Sequence, residues 1–232
     1  MFVQLQHELA DKFAIHFNDL GLLEEALTQA NYINEHPGYP GHDYQRLEFL
    51  GDAVMQQATA VYLFKKFPDW DEGPLTELRI MMVQTRSFAA LTRDVGLDKY
   101  IQLGRGEEIS GGRTRPSLLE DIWESFIGAL FLDQGQDEVM RFLELTLFPK
   151  VDAGYFEKFF DYKTKLQEHL QRNGSVKISY TKLDEHLDAE HNQVFTVSVG
   201  LVGQKELGRG QGHSLKDAEK AAARVAYQKL LG

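Results

Sequence analysis

Two pairs of carboxylates stand among bulky apolar residues, where an ionised side chain is costly unless it is paired or bound to metal. The first pair, Glu48 and Asp52, lies in Arg46-Leu47-Glu48-Phe49-Leu50-Gly51-Asp52-Ala53-Val54. The second, Asp121 and Glu124, lies in Leu119-Glu120-Asp121-Ile122-Trp123-Glu124-Ser125-Phe126-Ile127. On a helix, residues three or four apart share a face, so each pair makes one negative stripe whose members repel. Either pair alone reads as a solvated helix face. Two such stripes on the two most apolar helices of the chain make sense if they face each other across a divalent cation. All-carboxylate ligation suits Mg2+ or Mn2+, hard ions that keep several waters. Carboxylate-held Mg2+ is typical of sites that handle phosphates and needs no protein nucleophile. There is no HExxH and no Glu-x-x-His, so zinc-protease and di-iron chemistry lose support.

The first 150 positions, which must position these residues, read as helical. Apolar spacing predicts helices over Val3–Phe17, Leu20–Gln29 (with Asp19 as N-cap), 44–67 (closed by Pro68), Leu75–Val83, Thr85–Val95 (ended by Gly96), Ser117–Leu132 and Asp137–Phe148. The 44–67 helix is apolar around most of its circumference and is expected to be central and buried. Gly51 also fits a close helix crossing, at a propensity cost of about 1 kcal/mol relative to Ala. The segments Asn34–His42 and Gly104–Arg113 are rich in turn formers and read as loops.

The pattern changes after Pro149. Asp161–Arg172 reads as a helix ended by Asn173-Gly174. Ser179–Asp184, Gln193–Leu201 and Lys205–Gly210 read as short strands, and Ser214–Leu231 as an Ala-rich helix capped by Ser214. Its stripe is Ala218, Ala221, Ala222, Val225, Ala226 and Leu230. The fold class is therefore an all-α domain over 1–150, an aromatic linker over 151–160 that is expected to pack through Tyr155, Phe156, Phe159 and Phe160, and an α-β-β-β-α domain over 161–232.

Composition supports two modules. The chain has 232 residues, is 43% hydrophobic and carries a net charge of −10. Residues 1–160 hold 14 Lys+Arg against 26 Asp+Glu, whereas 161–232 hold 11 against 9. An acidic body with a slightly basic tail suggests different tasks. With no cysteine, disulfides, thiolate metal sites and cysteine nucleophiles are excluded. No apolar run spans a bilayer, and the charged N-terminal stretch argues against a signal peptide, so a cytoplasmic protein without a membrane partner is expected.

At the carboxylate motifs the sequence resembles ribonuclease III. Gln45–Val54 is similar to that family's signature stretch, Glu120–Asp133 to its second acidic segment, and Asp71-Glu72-Gly73 to a further acidic turn. The C-terminal unit resembles a double-stranded-RNA-binding domain. The resemblance implies that Glu48, Asp52, Asp121 and Glu124 bind catalytic Mg2+ (with Mn2+ able to substitute), that Asp52 and Glu124 are most directly tied to cleavage, and that Glu72 lies in a cleavage valley. It also implies that Phe49 inserts into a partner subunit of a homodimer; from sequence alone Phe49 fits core packing equally. Three departures stand out. Gln45 replaces a common Glu, Gln29 and Asn31 replace a usual His and Ser (expected as a packing variation), and Leu215-Lys216 replaces two lysines.

In the C-terminal unit, Gln167 and Gln171 share a helix face whose amides suit 2′-hydroxyls and base edges. His191 lies in the first inter-strand loop. Ser214, Lys216 and Lys220 sit at the start of the last helix, where backbone N–H groups and lysines suit phosphates. The function implied is Mg2+-dependent hydrolysis of double-stranded RNA to 5′-phosphate and 3′-hydroxyl ends, in ribosomal, messenger and transfer RNA processing, with no small-molecule cofactor. The alternatives are a catalytically silent double-stranded-RNA-binding protein and a helical hydrolase of small phosphate compounds.

Overall fold

A computed structural model describes residues 1–156, 161–172, 174–203 and 205–231. The chain divides into two compact units, Met1–Lys158 and Phe159–Gly232. Phe159, Phe160 and Asn173, named above for the linker and a helix end, lie outside the described residues.

The first unit is helical: α1 (Phe2–Phe13), α2 (Leu20–Ala26), α3 (Ala30–Glu35), α4 (Gln45–Lys66), α5 (Glu72–Met82), α6 (Thr85–Val95), α7 (Arg105–Ile109), α8 (Pro116–Gln134), α9 (Gln136–Thr146) and α10 (Phe148–Asp152). Helix α8 is the centre, buried from Leu118 through Leu130 on nearly every face. Its fully buried Trp123 and Phe126 sit in an aromatic cluster with Phe17, Phe88 and Phe142. Helix α4 differs from expectation. It buries one face through Leu47, Gly51, Val54, Met55, Ala58 and Leu63, and leaves Phe49 and Phe64 in solvent.

Two glycines decide how α4 and α8 meet. A Cβ on Gly51 would lie 1.7 Å from the Glu124 carbonyl oxygen, and one on Gly128 would lie 2.2 Å from the Leu47 carbonyl oxygen. The two backbones are therefore in direct contact at the positions that carry the carboxylates. The close-packing reading of Gly51 holds, and Gly128 is its counterpart.

The second unit runs α11 (Tyr162–Gln171), β1 (Ile178–Leu187), β2 (Gln193–Leu201), β3 (Glu206–Gly212) and α12 (Leu215–Leu231). The antiparallel sheet has the order β1-β2-β3. In β3, Gly208, Gly210 and Gly212 would drive a Cβ into Ala226, Ala222 and Ala218 of α12, each within 2.6 Å of a backbone atom. Two strand residues advance about 6.6 Å and four helix residues about 6.0 Å, so the glycine and alanine ladders stay nearly in step. The buried stripe of α12 is Ala218, Ala222, Ala223, Ala226 and Tyr227; Leu230 is exposed.

Candidate functional site

The glycine crossing sets the two carboxylate stripes against each other. Glu48 and Asp52 project from α4, and Asp121 and Glu124 from α8; Asp52 is exposed and the other three are half-buried. They share one electrostatic environment. Burial raises Glu124 to about 8, helped by the charges of Asp52, Glu120, Glu48 and Asp121. Glu48 is raised by burial and then by Asp121, Glu120, Asp43 and Asp52. Glu120 joins them, raised by burial and by Asp121 and Asp52, with a hydrogen bond to Thr85 opposing the shift. Asp121 is also raised by burial, against a hydrogen bond from Tyr44. That bond runs from the Tyr44 hydroxyl to Asp121 Oδ2 at 2.9 Å. Asp52 accepts from Gln56 Nε2 at 3.2 Å.

Among the described residues, no three His, Cys, Asp or Glu side chains stand close enough together to hold an ion as they are. The donor chemistry nonetheless fits a hard cation. The groups are oxygen acids only, three of the four are half-buried, and burial with neighbouring negative charge drives Glu48 and Glu124 toward protonation. A divalent cation would relieve that repulsion.

Glu72 occupies the exposed first turn of α5 and is not among the charges that act on Glu124 or Glu48. Phe49, 81% exposed on α4, is not a core residue.

The expected RNA-contacting residues distribute over three parts of the second unit. Gln167 and Gln171 line a groove of about 330 Å³ with Lys163, Val176, Lys177, Ile178 and Tyr180. Gln171 Nε2 lies 3.4 Å from the Val176 carbonyl, and Lys163 pairs with Glu219 at 2.7 Å. His191 sits at the tip of the β1–β2 loop with a left-handed φ of 64°. Asp188 Oδ1 builds that loop by accepting from the backbone of Glu190 and Asn192. Ser214 caps α12: its hydroxyl accepts from Asp217 N at 3.1 Å and donates to Asp217 Oδ2 at 2.6 Å. Lys216 and Lys220 follow, exposed and one turn apart.

Comparison with known proteins gives the same division. Residues 19–151 match the ribonuclease-III-like family model, and residues 162–230 match the double-stranded RNA binding motif. Ribonuclease 3 of Leuconostoc mesenteroides is 60% identical over 219 residues, covering 94% of this chain and 92% of its own. Ribonuclease 3 of Leuconostoc citreum is 58% identical, covering 96% and 95%. The chain belongs to the ribonuclease III family. Its helical first unit also resembles the nuclease domain of Campylobacter jejuni ribonuclease III, with 35% identity and a TM-score of 0.55 over 61% of this chain and 97% of that one. A second structure of the same domain gives 34% identity and a TM-score of 0.54, over 66% and 95%.

As a ribonuclease III, the protein is an endoribonuclease, and its all-α unit followed by an α-β-β-β-α unit is the fold expected from its sequence. Among the described residues no helix is long and apolar enough to cross a membrane. Two further residues at the carboxylate stripes are Glu120, whose sequence signal is its place four residues before Glu124, and Tyr44, which has none because its bond to Asp121 joins segments far apart in sequence.

Proposed function

We propose that this ribonuclease III hydrolyses phosphodiester bonds of double-stranded RNA in a Mg2+-dependent reaction that leaves 5′-phosphate and 3′-hydroxyl ends. In this reading Glu48, Asp52, Asp121 and Glu124 hold the cation, and Asp52 and Glu124 stand nearest the cleaved bond. The observation that carries it is the backbone contact at Gly51 and Gly128, which sets two carboxylate stripes against each other and leaves Glu124 under the charge of four acidic neighbours. A bound divalent cation supplies Lewis-acid stabilisation of phosphodiester oxygens. The chain's own residues supply the negative charge that would hold the ion.

The second unit offers the grip. Gln167, Gln171 and His191 approach the minor groove, while Ser214, Lys216 and Lys220 approach phosphates. Homodimerisation through Phe49 pairs two acid sites, each cutting one strand. Glu72 lies in the valley between them. The protein acts in the cytoplasm on ribosomal, messenger and transfer RNA precursors.

The test is cleavage of a long RNA duplex with Mg2+, with Mn2+ and with chelator, by wild type and Glu124→Gln. Wild type is expected to cut only with metal. Glu124→Gln is expected to bind the duplex normally and to cut at least a hundredfold more slowly, the scale seen when an essential charge-stabilising group is removed. Duplex binding by wild type without any product would favour the silent RNA-binding alternative. Near-normal turnover of Glu124→Gln would remove the assignment of that residue.

A further inference from the structure

We infer that Tyr44 is a positioning residue that fixes Asp121 for the cation; this rests on the metal reading proposed above. Tyr44 is the residue just before α4 and is buried. Its hydroxyl reaches across to α8 and donates to Asp121 Oδ2 at 2.9 Å. Its backbone N–H is tied to the Thr28 carbonyl at 3.0 Å, so the ring enters the site from a fixed base. The neighbouring residue, Gln29, is itself held by its N–H to the Gln102 carbonyl at 3.0 Å.

A phenol hydroxyl has one proton to donate. Tyr44 gives that proton to Asp121. One carboxylate oxygen of Asp121 is thereby engaged, and the other is left for a further partner. This is the arrangement by which outer hydrogen bonds orient a metal-ligating carboxylate and disperse its charge. The backbone bond to Thr28 and the hydroxyl bond to Asp121 make Tyr44 a strut between the α2–α3 turn and α8.

The experiment measures Mn2+ binding to the full-length, RNA-free protein by the loss of the free-ion EPR signal, in wild type, Tyr44→Phe and Tyr44→Met. Tyr44→Phe keeps the ring and removes only the hydroxyl. It is expected to bind Mn2+ about tenfold more weakly, the lower end of the effect of removing an outer hydrogen bond to a metal ligand. Its melting temperature should stay within a few degrees of wild type. On a long duplex its kcat should fall at low Mn2+ and recover at high Mn2+, with KM for the RNA unchanged. Tyr44→Met, which also lacks a hydroxyl, should lose ion affinity to a similar extent. Wild-type Mn2+ affinity in a folded Tyr44→Phe overturns the inference. Should that variant fail to fold, wild-type affinity in a folded Tyr44→Met overturns it instead. A wild-type protein that takes up no Mn2+ overturns the metal reading itself, and the inference with it.

Discussion

At the scale of the residue, Glu124 is where burial and charge act together, and the sign of its effect on stability can be worked out. In the folded, metal-free protein its carboxyl holds a proton up to about pH 8, whereas the unshifted group releases it near 4.5. Between those values the folded state binds more protons than the unfolded chain. Stability that is complete below the lower value is therefore lost as pH rises through the upper one. Glu48, Glu120 and Asp121 shift in the same direction and add to the slope. In chelator, the melting temperature of wild type should fall between pH 5 and pH 8. Glu124→Gln, a neutral side chain at every pH, should match wild type near pH 5 and exceed it at pH 8. Parallel melting curves for the two proteins across that range would show that Glu124 is not perturbed as described.

Elements extend the argument, because the carboxylates share a site only while α4 and α8 touch. Gly51→Ala would place a methyl group 1.7 Å from the Glu124 carbonyl oxygen, and neither backbone can turn aside. The helices must separate. Overpacking of this kind costs about 3 kcal/mol, of which the better helix propensity of alanine returns about 1 kcal/mol. A net loss of about 2 kcal/mol corresponds to a melting temperature lower by roughly 4–8 °C in a chain of this size. Gly73→Ala, where nothing lies within 4 Å of the added carbon, serves as the control and should leave the melting temperature unchanged or slightly raised. Equal melting temperatures for Gly51→Ala and wild type, by calorimetry, would mean the crossing is looser than drawn.

The same scale explains what the sequence could and could not reveal. Spacing of three and four residues put each carboxylate pair on one face, and capping and turn chemistry located Asp19, Gly96 and Ser214 at helix ends. The first helix stops at Phe13, not Phe17, because Ala14 turns left-handed while Ile15 and Phe17 continue the apolar spacing from a loop. Helices α3 and α7 were hidden by residues that favour turns. Strand β1 runs on to Leu187 past a bulge between Lys182 and Asp184, where both faces are exposed and no alternation marks it. The centrality of α8 over α4 depends on which apolar faces meet other helices, and composition alone does not carry that. Tyr44 and Asp121 are 77 positions apart, so their bond has no local signature.

For the molecule as a whole, the most informative residue is the one that does nothing for the monomer. Phe49 lies on α4 between Glu48 and Leu50, yet it is 81% exposed, and Phe64 on the same helix is 73% exposed. Leaving large aromatic side chains in water forfeits about 2 kcal/mol or more of transfer free energy apiece. A second copy that covers them would recover it, and would bring two acid sites into one assembly. If Phe49 is such an anchor, Phe49→Ala should raise the dimer dissociation constant by about 30-fold or more, corresponding to the roughly 2 kcal/mol that defines an interface hot spot. Sedimentation velocity over a dilution series should then show monomer at concentrations where wild type remains paired. The variant should also lose the concentration dependence of melting that a dimer imposes by mass action. At the lowest concentrations, where both proteins are monomers, their melting temperatures should coincide, because the side chain makes no core contact. A Phe49→Ala protein that sediments as wild type does throughout the series would show that this face of α4 stays in solvent and that dimerisation runs through other residues.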